Sequence, residues 1–248
     1  MVAGKKWSFL VAGLLAVVMT GCFAVRVTTV SGVVLTSTGK PLADAVVTID
    51  GKKVTTDKNG AFTVQDVREG KRSVRIDIDG QAITRQVEVK EGLAPLEIVL
   101  DPMNWARGKS YVYNIEPHEN YPDPDGKMTD GVRASTSWSD TAWVGHNREN
   151  DREITVDLGS VRPIRELRTA FLQSAGVGVG FPSEVIWYVS ADGENWEEVG
   201  TIQLKSADYP NPGIAPADVE ELDVEARYVR LYFTVSVWVF LDEIEIWG

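Results

Sequence analysis

Short runs of alternating, β-branched residues, each ended by a turn, most limit how this chain can fold. Between residues 28 and 100, Asp50-Gly51 and Asp79-Gly80 are hairpin signals, and Lys58-Asn59-Gly60 marks a further turn. No stretch of useful length in this region has the periodicity of a helix. The pattern therefore predicts seven short strands that form a small β-sandwich over residues 28–101.

A second series of strands follows a boundary at residues 101–104. Residues 116–150 are rich in loops because several prolines interrupt regular structure, and a loop region of this length is usually functional or held in place. Eight strands are predicted at 111–115, 153–158, 164–172, 184–190, 196–202, 220–224, 228–235 and 239–247. The chain is thus predicted to be all-β, with an eight-stranded jelly-roll sandwich over residues 109–248.

The N-terminal stretch MVAGKKWSFLVAGLLAVVMTGC is typical of an export signal. Lys5 and Lys6 precede an apolar core at 9–19 that is too short to span a bilayer comfortably. The sequence Met19-Thr20-Gly21-Cys22 resembles the bacterial lipobox, which implies a signal peptide at 1–21 and an acylated tether at 22–27. Cys22 would then anchor an extracytoplasmic protein to the membrane or cell surface. The alternative is a buried free cysteine after a membrane helix.

The charge and cysteine content exclude several classes of function. The chain carries 25 basic and 36 acidic residues, a formal net charge of −11, which argues against nucleic acid as a partner. With a single cysteine, no internal disulfide can form. The only two histidines, His118 and His146, lie in predicted loops, and the sequence contains no recognisable nucleophile–base arrangement or pair of convergent carboxylates. We therefore expect no enzymatic activity.

Two families share motifs with the chain. The sequence VSGVVLTSTGKPLADAVVTIDG, followed by TTDKNGAF, resembles the carboxypeptidase regulatory-like (transthyretin-like) sandwich. Residues 109–248 resemble the discoidin fold, also called the F5/8 type C domain, which bacterial carbohydrate-binding modules share. The shared motifs are Thr129-Asp130-Gly131 with Trp138, ITVDLG at 154–159, VSADGENW at 189–196, ARYVRL at 226–231 and DEIEIWG at 242–248. This resemblance implies a discoidin-like jelly roll.

The discoidin resemblance also implies a structural calcium ion held between the early loop and the last strand. The side chains implied as ligands are those of Asp130, Ser135 and Glu243. Backbone carbonyls would come from about Lys127, Val132 and Asp242. Calcium takes about six to eight oxygen ligands of these kinds, and Gly131 permits the tight turn. The alternative is that Asp130 only caps a turn and Glu243 is solvated.

The loop at 143–151 is the predicted ligand contact, because carbohydrate modules combine an aromatic face with polar groups that bind hydroxyls. Trp138, Trp187 and Trp196 are expected in the core, because they lie in strand contexts. Trp143 could instead be a core or lid residue, and His146 and Arg148 could be solvated. The predicted contact residues are Trp143, His146, Asn147 and Arg148, with Phe181 and Tyr209 as further apolar surfaces.

Two functions are consistent with these features. The first is a membrane-anchored, non-catalytic lipoprotein that binds carbohydrate through the loops of the discoidin-like domain. The second is a structural or protein-binding adhesion lipoprotein with no affinity for sugar, so that the partner is either a glycan or a cell-surface protein. Phospholipid binding by the discoidin-like loops is disfavoured by the negative charge.

Overall fold

The computed structural model describes residues 25–147 and 150–248. The signal peptide, Cys22 and Arg148 lie outside the described residues. Within them the chain is nearly all β, as the sequence predicts, and the helical elements are three-residue 3-10 turns. None of the described helices has the length and apolar character needed to cross a bilayer.

The first domain is a sandwich of seven strands. One sheet has the order β4-β1-β7 and the other the order β3-β2-β5-β6. The strands are β1 (Val27–Leu35), β2 (Val46–Ile49), β3 (Lys52–Thr55), β4 (Ala61–Arg68), β5 (Gly70–Ile78), β6 (Gln81–Val89) and β7 (Leu96–Val99). The two predicted Asp-Gly hairpins are present, and Asp50 and Asp79 have positive φ angles of 52° and 49°, as such turns require.

The second domain packs a five-stranded sheet, β14-β13-β16-β10-β8, and a four-stranded sheet, β15-β12-β17-β9, with a short β11-β18 pair. The strands are β8 (Tyr111–Tyr113), β9 (Val144–His146), β10 (Arg152–Ile164), β11 (Glu166–Arg168), β12 (Ala170–Gln173), β13 (Val185–Ser190), β14 (Glu197–Ile202), β15 (Gly213–Pro216), β16 (Val224–Phe233), β17 (Val239–Leu241) and β18 (Glu245–Trp247). The described part of this domain has eleven strands where eight were predicted, because two predicted strands are divided, β9 and β15 fall in predicted loops, and the strands predicted at 220–224 and 228–235 form the single strand β16.

The strand alternation explains why the core lies between the sheets. In β10, Ile154, Val156 and Leu158 are buried, and the residues between them are half-buried. Trp187 of β13 is fully buried, as the sequence predicts, and its indole N–H donates to the carbonyl of Ala217 at 2.8 Å. Each sheet therefore has one face in the core and displays its loops at the ends.

The linker between the domains pairs with the end of the chain. The N–H of Trp105 donates to the carbonyl of Ile246 at 2.7 Å, and Met103 and Gly248 exchange two backbone hydrogen bonds of 3.1 Å. The Trp105 indole N–H donates to the carbonyl of Pro163 at 2.9 Å. The linker is therefore held by an isolated β-bridge, Asn104 to Trp247, at the edge of the second domain.

Charged side chains join the two domains. Asp79, in the β5–β6 turn, accepts a hydrogen bond from Lys109 Nζ at 2.7 Å and lies 2.9 Å from Arg162 Nη2. Arg162 is buried and also lies over the Trp105 ring. A second, exposed ion pair joins Lys40 to Asp223 at 2.6 Å. These contacts hold the end of the first domain that carries Lys40 and the β5–β6 turn against the second domain.

Candidate functional site

The early loop of the second domain is attached to the segment that precedes β18. The N–H of Ile244 donates to the carbonyl of Met128 at 2.7 Å. The N–H of Gly131 donates to Glu243 Oε1 at 2.9 Å, and Gly131 has a φ of 82°, which favours glycine. The structure therefore brings Asp130 and Glu243 to the same place, as the predicted cation site requires.

Glu243 is the residue that best fits a bound cation. Its side chain is fully buried, and Oε2 has no hydrogen-bond partner within the described part of the chain. Burial, aided by the nearby Asp130 carboxylate, raises the pKa of Glu243 to about 8. A buried, unpartnered carboxylate oxygen is costly unless a cation or donor meets it. The donor chemistry at this position therefore fits calcium.

The other predicted ligands are arranged less favourably. Asp130 is exposed and its Oδ1 accepts from the N–H of Val132 at 2.7 Å. The carboxylate of Asp242 is occupied by Arg133 Nη1 at 3.0 Å, which leaves its backbone carbonyl as the possible ligand. Ser135 is exposed. Residues 25–147 and 150–248 contain no group of three His, Cys, Asp or Glu side chains placed to hold a metal. A calcium ion here would depend on backbone and hydroxyl oxygens, with Lys127 and Val132 as the predicted carbonyl donors.

The structure corrects the role of Trp143. Its side chain is buried and packs with Leu172, Val179 and Phe240, so it cannot contact a ligand directly. Its indole N–H donates to the carbonyls of Ser135 and Ser137, at 3.1 and 3.0 Å. Trp143 therefore supports the loop above it.

His146 is also inside the domain. It belongs to β9, is fully buried, and packs against Tyr113 and Phe233. Neither ring nitrogen has a hydrogen-bond partner among the residues that the structure describes. Burial, aided by the charge of Arg152, lowers the pKa of His146 to about 3, so the imidazole is neutral. The prediction that His146 contacts a ligand directly is therefore also wrong.

The remaining predicted contacts do not form one surface. The backbone carbonyl of Asn147 accepts from Arg152 Nη2 at 2.8 Å. Phe181 is buried and its ring meets that of Tyr209 edge-to-face, with 5.4 Å between centroids. The predicted apolar surface at Phe181 is thus an internal contact, and Tyr209 is half-buried beside it.

An aromatic cleft lies elsewhere on the domain. It encloses about 240 Å³ and is lined by Asn120, Tyr121, Trp138, Val177, Val179, Trp238 and Phe240, none of which is charged. Trp138 is 42% exposed, contrary to its expected place in the core. This cleft is not recognisable in the sequence, because its lining residues come from four separate segments.

The walls of the aromatic cleft are held by backbone pairing and ring contacts. The N–H of His118 donates to the carbonyl of Gly145 at 2.8 Å, and the N–H of Gly180 donates to that of Trp238 at 2.9 Å. The Trp238 ring meets those of His118 and Tyr121 edge-to-face, at 4.7 and 5.4 Å. Because Trp143 lies beneath this layer, the cleft is a preformed concave surface with polar groups at its rim.

The fold and the cleft define a class: a two-domain, all-β protein with a concave aromatic site at the loop end of its second sandwich. The model of the F5/8 type C domain family matches residues 112–244, more than half of the chain. The chain therefore belongs to the F5/8 type C domain family. The carboxypeptidase regulatory-like domain model matches residues 29–101. Both resemblances in the sequence are thereby confirmed.

Several solved structures are similar to part of the chain at low sequence identity. A chitosan-binding module from a Paenibacillus sp. IK-5 chitosanase/glucanase is 20% identical over 59% of this chain and 99% of its own, with a TM-score of 0.43. A Clostridium perfringens module, in complex with GalNAc-β-1,3-galactose, is 15% identical over 56% and 94%, with a TM-score of 0.42. A Streptococcus pneumoniae fucose-binding module is 16% identical over 58% and 94%, with a TM-score of 0.42. No curated protein sequence matches the chain.

Proposed function

We propose that the protein binds carbohydrate in the aromatic cleft of its second domain. The observation that carries this proposal is the exposure of the Trp138 ring at the edge of an uncharged concave surface. An indole face packs against the apolar face of a pyranose, and the Asn120 amide and His118 imidazole can bind its hydroxyl groups. Membership of the F5/8 type C domain family is consistent with this role.

A glycan array with the 23–248 fragment, followed by titration calorimetry of any hit, tests the proposal. Trp138→Ala should weaken binding at least tenfold, or about 1.4 kcal/mol, because the sugar loses its aromatic surface. Trp196→Ala is the matched control, since that indole is half-buried under Arg230, outside the cleft. Equal loss in both variants would contradict the cleft assignment. Silence on the array, with a protein partner recovered by crosslinking, would favour the adhesion function.

The same proposal includes a non-catalytic role. The aromatic cleft is lined by an amide, a phenol and apolar groups, and contains no carboxylate pair for glycosidic bond cleavage. Incubating a bound glycan with the protein and analysing the products by mass spectrometry should return the glycan intact. Release of shorter sugars by protein free of contaminating enzymes would overturn this part of the proposal.

We further propose that calcium binds between the early loop and Glu243, and that Cys22 carries the lipid anchor. The buried, unpartnered Glu243 oxygen supports the first, and the lipobox-like sequence at residues 19–22 supports the second. Calcium would hold a long loop against the C-terminal segment and would leave the chemistry of the cleft unchanged. Mass spectrometry of the mature N-terminus tests the anchor: an unmodified Cys22, or an uncleaved chain, would exclude it.

A further inference from the structure

The net negative charge lies entirely in the second domain. Residues 25–101 carry 11 basic and 11 acidic side chains, whereas residues 102–248 carry 12 basic and 25 acidic ones. The first domain therefore has no net charge, so the positive potential of a basic patch on it is not cancelled by an excess of acidic residues in the same domain. The net charge of the whole chain therefore does not describe the field around this domain.

The first domain has such a patch, a basic groove formed by Arg68, Lys71, Arg72 and Arg75. Its volume is about 470 Å³, and Asp50 is the acidic residue in its lining. Asp50 is almost fully covered and is paired with Arg68 Nε at 2.9 Å. Within the described residues, Lys71 takes part in no ion pair, and its side chain is exposed. Arg75 is paired with Asp77. Four basic side chains are thus opposed by two aspartates, and the basic groove retains net positive charge that faces solvent.

The basic groove lies where the chain enters the first domain. Val27 pairs with Arg68 in the β1–β4 ladder, and the N–H of Glu69 donates to the carbonyl of Arg26 at 3.0 Å. Cys22 precedes Arg26 by four residues, which span at most about 14 Å when extended. Val25 and Val27 are exposed apolar residues beside the groove. An anchor at Cys22 would hold this end of the domain at the bilayer.

The same end of the domain is remote from the acidic second domain. β5 runs nine residues from Gly70, at the groove, to Ile78, and Asp79 then contacts Lys109 and Arg162 of the second domain. From Lys71 to Asp79 the strand spans about 26 Å, and from Arg75, the groove residue nearest the junction, it spans about 13 Å. Electrostatic screening acts over about 8 Å at physiological ionic strength. Repulsion between the acidic domain and an anionic surface is therefore screened at the groove.

We propose that the basic groove docks on the net negative headgroups of the membrane to which the chain is tethered. Docking would orient the first domain as an upright spacer and hold the aromatic cleft away from the bilayer. This inference rests on the proposed anchor at Cys22. The basic groove and the lipid headgroups are distinct from the aromatic cleft and its carbohydrate ligand.

The single cysteine allows a direct test. A 22–248 fragment retains every described strand, since they lie between Val27 and Trp247. It can be coupled through Cys22 to maleimide lipids in vesicles with 30% phosphatidylglycerol or with phosphatidylcholine alone. All seven tryptophans of the fragment lie at position 105 or later. Energy transfer from them to dansyl-labelled headgroups therefore reports the height of the second domain.

Lys71→Gln with Arg75→Gln should lower the docked-to-undocked ratio about thirtyfold on the anionic vesicles, since each basic side chain at such a surface contributes about fivefold. Energy transfer should then rise relative to the unmodified fragment. Lys58→Gln with Arg85→Gln is the matched control, because neither residue lines the groove. Lys58, like Lys71, has no ion pair among the described residues, and Arg85, like Arg75, pairs with an aspartate. The control should behave like the unmodified fragment.

Two outcomes would overturn docking. One is equal energy transfer in the groove variant and the unmodified fragment on phosphatidylglycerol vesicles. The other is a difference between them that persists on phosphatidylcholine or at about 1 M salt, where screening acts within about 3 Å. Because coupling is chemical, neither outcome depends on natural acylation, which mass spectrometry of Cys22 tests separately.

Discussion

Removing the charge of Asp79 should loosen the junction between the domains far more than removing the charge of Asp223. Its carboxylate lies between Lys109, at 2.7 Å, and Arg162, at 2.9 Å. The three side chains are only 15%, 18% and 5% exposed, respectively. Asp79→Asn is the cleanest change, because Asn also tolerates the φ of 49° at this turn. The substitution leaves two cations facing each other with no anion between them.

The expected cost is about 3 kcal/mol. Removing one partner of a buried ion pair costs about 3–5 kcal/mol, because the remaining charge stays desolvated. We take the low end since all three side chains keep some contact with water. Asp223→Asn is the control, as it breaks the other pair between the domains, with Lys40, but Asp223 is 85% exposed. Exposed pairs contribute at most about 1 kcal/mol.

Urea unfolding of the 23–248 fragment measures both effects. Intrinsic fluorescence reports the second domain, where all the tryptophans of the fragment lie, and far-ultraviolet circular dichroism reports strands of both. With a slope of about 3 kcal/mol per molar urea, Asp79→Asn should lower the midpoint by about 1 M. If the domains then unfold independently, the unfolding midpoints measured by fluorescence and by circular dichroism should differ. A midpoint shift no larger than that of Asp223→Asn would refute the reasoning.

Three further results are expected. Calcium added to metal-free protein at about 100 times its dissociation constant should stabilise the fold by about 2.7 kcal/mol. Glu243→Gln should abolish the resulting rise in Tm, whereas Glu197→Gln, at an exposed position, should keep it. An unchanged Tm in the unmodified protein would exclude the site. His146 has a folded pKa of about 3, below its unfolded value near 6.5, so stability present above pH 6.5 should be lost toward pH 3 at about 1.4 kcal/mol per pH unit. Urea midpoints of His146→Phe should fall less steeply with pH, and identical slopes would contradict this. Trp143→Phe should lose about 1–3 kcal/mol, because two carbonyls lose their donor; a melting curve identical to that of the unmodified protein would show that the indole does not support the loop.

The strands and turns of this protein were predictable because their causes are local. Asp50-Gly51 and Asp79-Gly80 accept positive φ angles, so the hairpins of the first domain are specified by two residues each. The strand predicted at 153–158 lies within β10, where Ile154, Val156 and Leu158 alternate with less buried residues. In these elements the sequence pattern and the tertiary structure agree.

The aromatic cleft was not predictable, because contacts between distant segments decide which of its aromatic side chains are buried and which are exposed. Trp138 and Trp143 are five residues apart in one loop, yet only Trp143 meets Leu172 and Phe240. β9 gives no alternation signal, and His146 is buried because its strand pairs with Val239 of β17. The available signal was the concentration of aromatic residues at 118–121 and 238–240, which the sequence analysis did not connect. Glu243 was identified only through the family resemblance.

The pairing of residues 103–105 with 246–248 has a consequence for biosynthesis. Those segments are separated by about 140 residues, so the second sandwich depends on closing a very long loop, which slows folding. Until β18 has emerged from the ribosome, residues 103–105 have no pairing partner. The edge of β11, which β18 covers in the folded domain, is then open to other chains. A bulky fusion joined directly after Gly248 would have to leave from the backbone pairing that completes the domain.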